Sequence, residues 1–233
     1  MKKTGIIGAM DIEVEGLKKD MVISREVKKA GMNFCEGSLQ GHPVVVVRSG
    51  IGKVNAAVCT QILVDEFQVD GVINTGIAGS LNAQIDIGDI VISTDVLHHD
   101  MDAVNFGYEP GQIPQMDVFS FAADETMADL AEEVCHEVNP EISVFRGRVV
   151  SGDQFVADKA VKERIVNQFH GFCTEMEGAA IAQTAYLNEI PFVVIRAISD
   201  KADDSASEDY PTFEKKAARH CMQLVEGLIQ RLD

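Results

Sequence analysis

Residues 191–200 read PFVVIRAISD, a run dominated by β-branched and other apolar residues that ends in a serine and an aspartate. The run predicts a β-strand over residues 191–199, and because polar residues do not alternate along it, we expect burial on both faces. Similar runs predict further strands at residues 4–9, 43–48, 69–75, 89–94 and 143–151. Strands buried on both faces are typical of α/β proteins.

Helical patterns stand between the predicted strands, at residues 53–67, 124–138, 158–169, 176–188 and 212–232. In the second of these, Leu130, Val134 and Val138 place apolar groups on one face of a helix. Strands followed by helices predict a three-layer α/β/α sandwich. We expect a single domain over residues 1–233, because a chain of this length with 46% hydrophobic residues can bury one large core.

The charge balance excludes several classes of partner. The chain has 20 Lys and Arg against 37 Asp and Glu, a formal net charge of −17 that would repel nucleic acid. No apolar run approaches the roughly 20 residues of a membrane span, and the apolar start is too short for a signal peptide. Five cysteines without a C-x-x-C spacing favour reduced thiols. We therefore expect a cytoplasmic protein without nucleic-acid or membrane partners.

Acidic residues at the ends of predicted strands are the first candidates for chemistry. A carboxylate near a sheet core is costly unless it has a partner or a task. Asp200 stands at the carboxyl end of the strand quoted above and follows Ser199. Glu175 and Glu177 lie near the start of the helix predicted at 176–188, just before small residues at 178–180, and Glu13 lies at the start of a helix expected directly after the first strand. A surface loop acid, or acids that stabilise a helix N-terminus, are the alternative interpretations.

Two glycine-rich stretches, residues 49–53 (SGIGK) and 74–79 (NTGIAG), follow apolar runs. The first is not a P-loop, because Val47 and Val54 stand where glycine and a hydroxyl residue are required, and Asn55 breaks a dinucleotide-binding motif. Each stretch is consistent with either close backbone contact to a ligand or a tight turn. No cofactor is expected.

The stretch 98–117 has glycines and prolines but no period, which predicts a long loop kept for a functional reason. It begins with His98, His99 and Asp100. No other His or Cys cluster supplies metal ligands at a familiar spacing, so we interpret this triplet as part of a solvated loop and expect no metal site.

Taken together, several short motifs resemble the methylthioadenosine/S-adenosylhomocysteine nucleosidases. They are GIIGAM at 5–10 with Glu13, SGIGK at 49–53, NTG at 74–76, VSGD at 150–153 with Phe155, EME at 175–177 and RAISD at 196–200. They occur in the family's order and span the chain. The resemblance implies a nucleoside-phosphorylase-like sandwich around a mixed sheet, a homodimer, and hydrolysis of the adenine–ribose bond of 5′-thionucleosides, with a role in methionine salvage.

The same resemblance implies catalytic roles. Asp200, assisted by Ser199, would protonate the leaving adenine, which requires a carboxyl group whose pKa is raised by seclusion. Glu13 would hold and activate the attacking water. Glu177 would bind the ribose hydroxyls and stabilise the cationic sugar of the transition state, with Met176 against the ribose.

The remaining substrate contacts are also implied by the resemblance. Phe155 would stack on adenine, with Val156 reading the purine edge through its backbone. Ile51, Met10 and Tyr210 would enclose the sugar and thioether, and Phe106 and Pro114 would reach this region from the partner subunit. Ala78, Gly79, Glu175 and Arg196 complete the expected substrate-binding set.

Two other functions remain open at this stage. A nucleoside phosphorylase would use phosphate instead of water and would need cations near the sugar, where an anionic Glu13 would repel phosphate. A silent nucleoside-binding protein is the second alternative, since a fold alone does not establish activity. The sequence does not rank methylthioadenosine, S-adenosylhomocysteine, 5′-deoxyadenosine and aminodeoxyfutalosine as substrates.

Overall fold

The computed structural model describes residues 1–203 and 205–232. Its strands are β1 (Thr4–Gly8), β2 (Val22–Lys29), β3 (Met32–Leu39), β4 (His42–Arg48), β5 (Gly71–Ser80), β6 (Ile90–His98), β7 (Phe121–Ala122), β8 (Val144–Ser151), β9 (Cys173–Glu175) and β10 (Phe192–Asp200). Its helices are α1 (Asp11–Asp20), α2 (Lys53–Phe67), α3 (Glu125–Val138), α4 (Lys159–Phe169), α5 (Gly178–Leu187) and α6 (Ala206–Ile229), with a short 3₁₀ turn at Val104–Phe106.

The strands form one mixed sheet in the order β10-β6-β8-β9-β5-β1-β4-β3-β2, with β7 beside β6. β10 also pairs in parallel with β5, so the strands from β10 to β5 close into a ring. β1 pairs in parallel with both β4 and β5. The carboxyl ends of β1, β5 and β10 therefore lie at the same edge of the sheet.

The core lies on both faces of the sheet, as the unbroken apolar runs predict. Along β10, Val193 and Ile195 pack in a cluster with residues of α1, α3 and α6, whereas Val194 and Ile198 pack in a second cluster with α2 and α5. These side chains are fully buried, and each such burial stabilises the fold by about 1.5–3 kcal/mol. The predicted three-layer α/β architecture with a mixed sheet is confirmed.

Three local expectations were incomplete or wrong. The hairpin of β2 and β3 was not predicted, because β2 is an exposed edge strand with a charged sequence. Residues 74–79 are not a turn but continue β5 to Ser80, buried throughout. The last helix begins at Ala206 and contains Pro211 within it, so it starts before the predicted residue 212.

Within the described ranges, no helix combines the length and the hydropathy required to cross a bilayer.

Candidate active site

A cavity of about 430 Å³ opens where the carboxyl ends of β1, β5, β9 and β10 meet. Ligands of α/β proteins bind at such an edge of the sheet. The predicted site residues that line the cavity are Met10, Glu13, Ile51, Ala78, Gly79, Phe155, Val156, Glu175, Met176, Glu177, Ser199, Asp200 and Tyr210. These residues come from distant parts of the chain, and the ring of strands from β10 to β5 brings them together.

Asp200 is the last residue of β10 and is only 2% exposed. Its Oδ2 accepts a hydrogen bond from the Ser199 hydroxyl at 2.8 Å, and its Oδ1 accepts one from the backbone N–H of Ala202 at 2.8 Å. Burial raises the pKa of Asp200, and these two hydrogen bonds offset only part of that effect. A carboxyl group that keeps its proton above the usual pH range can act as a general acid.

Glu13 lies in the first turn of α1, and its carboxylate turns back toward the end of β1. Its Oε2 accepts from the backbone N–H groups of Ala9 at 2.7 Å and Met10 at 2.9 Å, and its Oε1 accepts from Ile77 N at 3.1 Å. Burial raises the pKa of Glu13, while Arg196 opposes the rise. Three backbone donors thus fix this carboxylate at the cavity wall, where it can orient a water molecule.

Gly76 makes the close approach of Glu13 to β5 possible. A Cβ at this position would stand 2.6 Å from Glu13 Oε1, closer than real contacts allow. The glycine is therefore required here by packing rather than by a turn, since residue 76 lies within β5.

Glu175 and Arg196 form a buried ion pair beneath the cavity. Arg196 Nη2 lies 2.5 Å from Glu175 Oε2, which also accepts from Gly178 N at 2.8 Å and Glu177 N at 3.1 Å. The Ser151 hydroxyl donates to Glu175 Oε1. Burial would raise the pKa of Glu175, but Arg196 and these donors together hold it below its usual value. Glu175 is therefore an anion with a structural partner.

Glu177, two residues further on, is held differently. Its Oε1 accepts from the backbone N–H of Gly52 at 2.7 Å, and its side chain borders the cavity. Burial, together with the neighbouring charge of Glu175, raises its pKa to about 8. Of the two glutamates in this motif, Glu177 is thus the one available to a ligand.

Two aromatic side chains form part of the cavity rim. Phe155 is 49% exposed and meets Tyr210 of α6 edge to face, with ring centroids 5.7 Å apart. The Tyr210 hydroxyl donates to Met10 Sδ at 3.2 Å, which ties α6 to the end of β1. The exposed face of Phe155 is suited to stacking against a flat heterocycle.

Three predicted substrate contacts do not line this cavity. Arg196 is 2% exposed, and its guanidinium donates to Glu175 and to the Asn74 side chain, so it lies behind the cavity wall rather than at its surface. The prediction of a direct contact between Arg196 and the substrate does not agree with this position. Phe106, which is 84% exposed, and Pro114 lie in the long loop and do not line the cavity.

The cavity is also lined by four residues that are not among the substrate contacts implied by the resemblance: Ala9, Ile77, Gln154 and Thr174. Ala9 and Ile77 contribute through the backbone groups that hold Glu13, which no side-chain pattern reveals. Asn74 was quoted only as part of a motif, yet its carbonyl groups accept from Arg196.

The segment His98–Asp100 differs from its predicted solvated state. His98 and His99 are 5% and 2% exposed, because His98 ends β6 against Gln183 and His99 packs beside Phe169. Only Asp100 reaches the surface. No group of three or more potential metal ligands occurs among residues 1–203 and 205–232.

Residues 3–230 match the family model of the phosphorylase superfamily, the class that this sheet and cavity define. The 5′-methylthioadenosine/S-adenosylhomocysteine nucleosidase of Chromohalobacter salexigens is 46% identical over all of this chain and 98% of its own. The nucleosidase of the same name from Neisseria meningitidis, solved with methylthio-immucillin-A, superposes with a TM-score of 0.96 at 40% identity over 100% of both chains. A futalosine hydrolase of Helicobacter pylori reaches 0.93 at 31% identity, over 99% of this chain and 98% of that one. This chain belongs to the 5′-methylthioadenosine/S-adenosylhomocysteine nucleosidase family.

Proposed function

We propose that this protein hydrolyses the N-glycosidic bond of 5′-methylthioadenosine and S-adenosylhomocysteine, releasing adenine and the 5′-thioribose. The observation that carries the proposal is the set of three buried acids, Glu13, Glu177 and Asp200, which border one cavity with separate anchors. The functions named for the relatives agree with it. Such an activity recovers the products of S-adenosylmethionine chemistry, as in methionine salvage.

The proposed reaction begins with proton donation. Asp200, kept protonated by its burial, donates its proton to the five-membered-ring nitrogen of adenine. Adenine can then leave as a neutral molecule while the C–N bond breaks and the ribose gains oxocarbenium character. The Ser199 hydroxyl, 2.8 Å from Asp200 Oδ2, stabilises the aspartate that remains.

Water completes the reaction on the sugar. Glu13, fixed by the N–H groups of Ala9, Met10 and Ile77, orients a water molecule and accepts its proton as the new C–O bond forms. Glu177 in its anionic form accepts hydrogen bonds from the ribose hydroxyls and favours the positive sugar over the neutral substrate. Phe155 stacks on the purine, and Met176 lies against the ribose.

Phosphate is a poorer nucleophile for this site than water. Glu13 and Glu177 face the place where it would bind, and the buried guanidinium of Arg196 is committed to Glu175 and Asn74. In their anionic forms, which the proposed hydrolysis requires, these two acids would repel a phosphate dianion. The charges at the site thus favour hydrolysis over phosphorolysis.

We further infer that the chain acts as a single-domain homodimer in the cytoplasm. Phe106 and Val104, exposed at 84% and 44%, form an apolar tip on the long loop, and such tips mark interaction sites. In the proposed dimer, Phe106 and Pro114 cover the 5′-substituent in the partner's cavity.

The cytoplasmic location is supported by the cysteines, since all five are free and buried, in keeping with a reducing compartment. The dimer has its own test. Light scattering should give twice the 25.3 kDa of the chain, and a fully active monomer would contradict the shared cavity.

The decisive experiment for the reaction measures adenine release from methylthioadenosine with and without phosphate, and identifies the sugar product. We expect free methylthioribose at a rate independent of phosphate, whereas the 1-phosphate would indicate a phosphorylase.

A substitution tests the general acid. Asp200→Asn, which keeps the shape of the side chain but has no acidic proton, should lower kcat by about 10²–10⁴-fold. Asp129→Asn, a surface change on α3, is the matched control. Intact nucleoside with a raised melting temperature would indicate a binding protein instead.

A further inference from the structure

Three charged residues from separate parts of the chain meet beside the cavity: Lys53 begins α2, Asp100 follows β6, and Asp153 follows β8. Lys53 Nζ lies 2.6 and 2.7 Å from the two carboxylate oxygens of Asp100, and Asp100 Oδ2 also accepts from the backbone N–H of Asp153 at 3.0 Å. Asp153 Oδ1 in turn accepts from the backbone N–H of Lys53 at 2.8 Å. We call Lys53, Asp100 and Asp153 the loop clamp.

The loop clamp holds the N-terminus of α2. This helix has no acidic residue in its first turn, and its N-cap, Gly52, has no side chain to accept from the free N–H groups. Carboxylates from elsewhere take this role: Asp153 accepts from Lys53 N, and Glu177 accepts from Gly52 N at 2.7 Å. Adjacent N–H groups of one helix end therefore bind one acid of the clamp and one acid of the active site.

The backbone at Gly52 makes this arrangement specific. Its φ of 96° lies in the left-handed region that favours glycine, and a Cβ there would stand 3.2 Å from Asp153 Oδ1. Because the N–H groups of Gly52 and Lys53 are adjacent, a shift of Asp153 that displaced the end of α2 would also move the Gly52 N–H relative to Glu177. Phe155 follows Asp153 by two residues and Ile51 precedes Lys53 by two, so the same shift would move both of these cavity residues.

We propose that the loop clamp is a positioning device for ribose recognition, in which Asp100 aligns the N-terminus of α2 so that Gly52 N–H orients the carboxylate of Glu177. The proposal rests on the proposed function, in which Glu177 accepts the ribose hydroxyls. Asp100, Lys53 and Asp153 do not line the cavity and act through the backbone of Gly52.

The charge state of Glu177 provides a readout that simple loss of stability would not change. Glu175 and Glu13 repel its anionic form, whereas Arg196 and the Gly52 N–H stabilise it. Weakening the Gly52 hydrogen bond raises the pKa of Glu177 further above its ordinary value, because the anion loses a donor. The acidic limb of the kcat/KM profile should then move to higher pH.

The test compares Asp100→Ala with Asp129→Ala, which removes an ion pair of the same 2.6 Å length, Arg146–Asp129, outside the cavity. For Asp100→Ala we expect kcat/KM for methylthioadenosine to fall about tenfold and the acidic limb to rise by about one pH unit, the effect of losing one hydrogen bond to a charged group. Asp129→Ala should match the wild type in both measurements.

Substitutions at Lys53 test the same role of the loop clamp, because Lys53 is the ion-pair partner of Asp100. Lys53→Met should reproduce the effect of Asp100→Ala, Lys53→Arg should retain most of the activity, and Lys53→Met/Asp100→Ala should cost no more than either single change. An unchanged acidic limb in Asp100→Ala would overturn the proposal, whether or not the melting temperature falls. The proposal would also be overturned if the losses of kcat/KM from Lys53→Met and Asp100→Ala were fully additive in the double variant. If the wild type releases no adenine, the proposed function fails, whereas a normal wild type with a normal Asp100→Ala variant refutes the loop clamp alone.

Discussion

Replacing Arg196 by methionine is the sharpest test of the buried charges behind the active site. The guanidinium and the Glu175 carboxylate lie 2.5 Å apart, with side chains only 2% and 3% exposed. Methionine is unbranched and matches the aliphatic part of arginine, so Arg196→Met removes the positive charge and leaves a gap only where the guanidinium group lies. It leaves Glu175 as a buried carboxylate without its counter-charge.

The cost can be estimated from the contacts that remain. Removing one partner of a buried ion pair usually costs about 3–5 kcal/mol of unfolding free energy. We expect the lower end, about 3 kcal/mol, because the N–H groups of Glu177 and Gly178 and the Ser151 hydroxyl still donate to Glu175. Adding Glu175→Gln removes the stranded charge, so the double variant should regain at least about 1.5 kcal/mol.

Urea unfolding followed by circular dichroism, at one protein concentration, measures these differences. Arg146→Met is the control, since Arg146 pairs with Asp129, whose side chain is 70% exposed, and this change should cost less than about 1 kcal/mol. A double variant no more stable than Arg196→Met would refute the idea that an uncompensated Glu175 charge is responsible. A loss below about 1 kcal/mol in Arg196→Met itself would refute the importance of the pair.

Two further predictions concern the chemistry. The kcat/KM profile should be bell-shaped: it falls as pH drops through the pKa of Glu177, about 8, because a protonated Glu177 no longer stabilises the sugar cation, and it falls at high pH as Asp200, whose pKa is raised, loses its proton. Glu177→Gln should remove the limb near pH 8 and leave only the fall caused by protonation of Glu13, whose pKa burial also raises. A limb that stays near pH 8 in this variant would assign it to another group. Gly79→Ala places a Cβ 2.7 Å from Asp200 Oδ1 and 2.8 Å from Ala202 Cβ, so kcat should fall more than about tenfold through misplacement of the acid. A wild-type kcat with this alanine in place would contradict the assigned position of Asp200.

Local sequence patterns were sufficient for the elements that form the core. The apolar runs at 4–9 and 191–199 correspond to β1 and β10, and the helix predicted at 53–67 is α2 from Lys53 to Phe67. These predictions succeeded because burial on both faces of a sheet requires continuous apolar residues, whatever the strand order. The β2–β3 hairpin escaped prediction because an exposed edge strand requires no such pattern.

The site residues could be named from the motifs, but the protonation state of each acid could not be predicted from them. Glu175 and Glu177 are two residues apart and chemically identical, yet one is an anion paired with Arg196 and the other has a pKa raised to about 8. The difference depends on which donors the fold brings to each carboxylate: Ser151 and Arg196 to the first, Gly52 to the second.

By itself, the sequence determined the α/β class, the acids at the strand ends and the family to which the chain is similar, because these depend on residue type, order and spacing. Tertiary structure alone decided that β10 pairs with β5, that Arg196 lies behind the cavity rather than at its surface, and that His98 and His99 are buried. It also decided that Lys53, Asp100 and Asp153 meet. The reason is physical: burial and hydrogen-bond partners arise between residues far apart in the chain, and these partners fix the proton affinity of each acid.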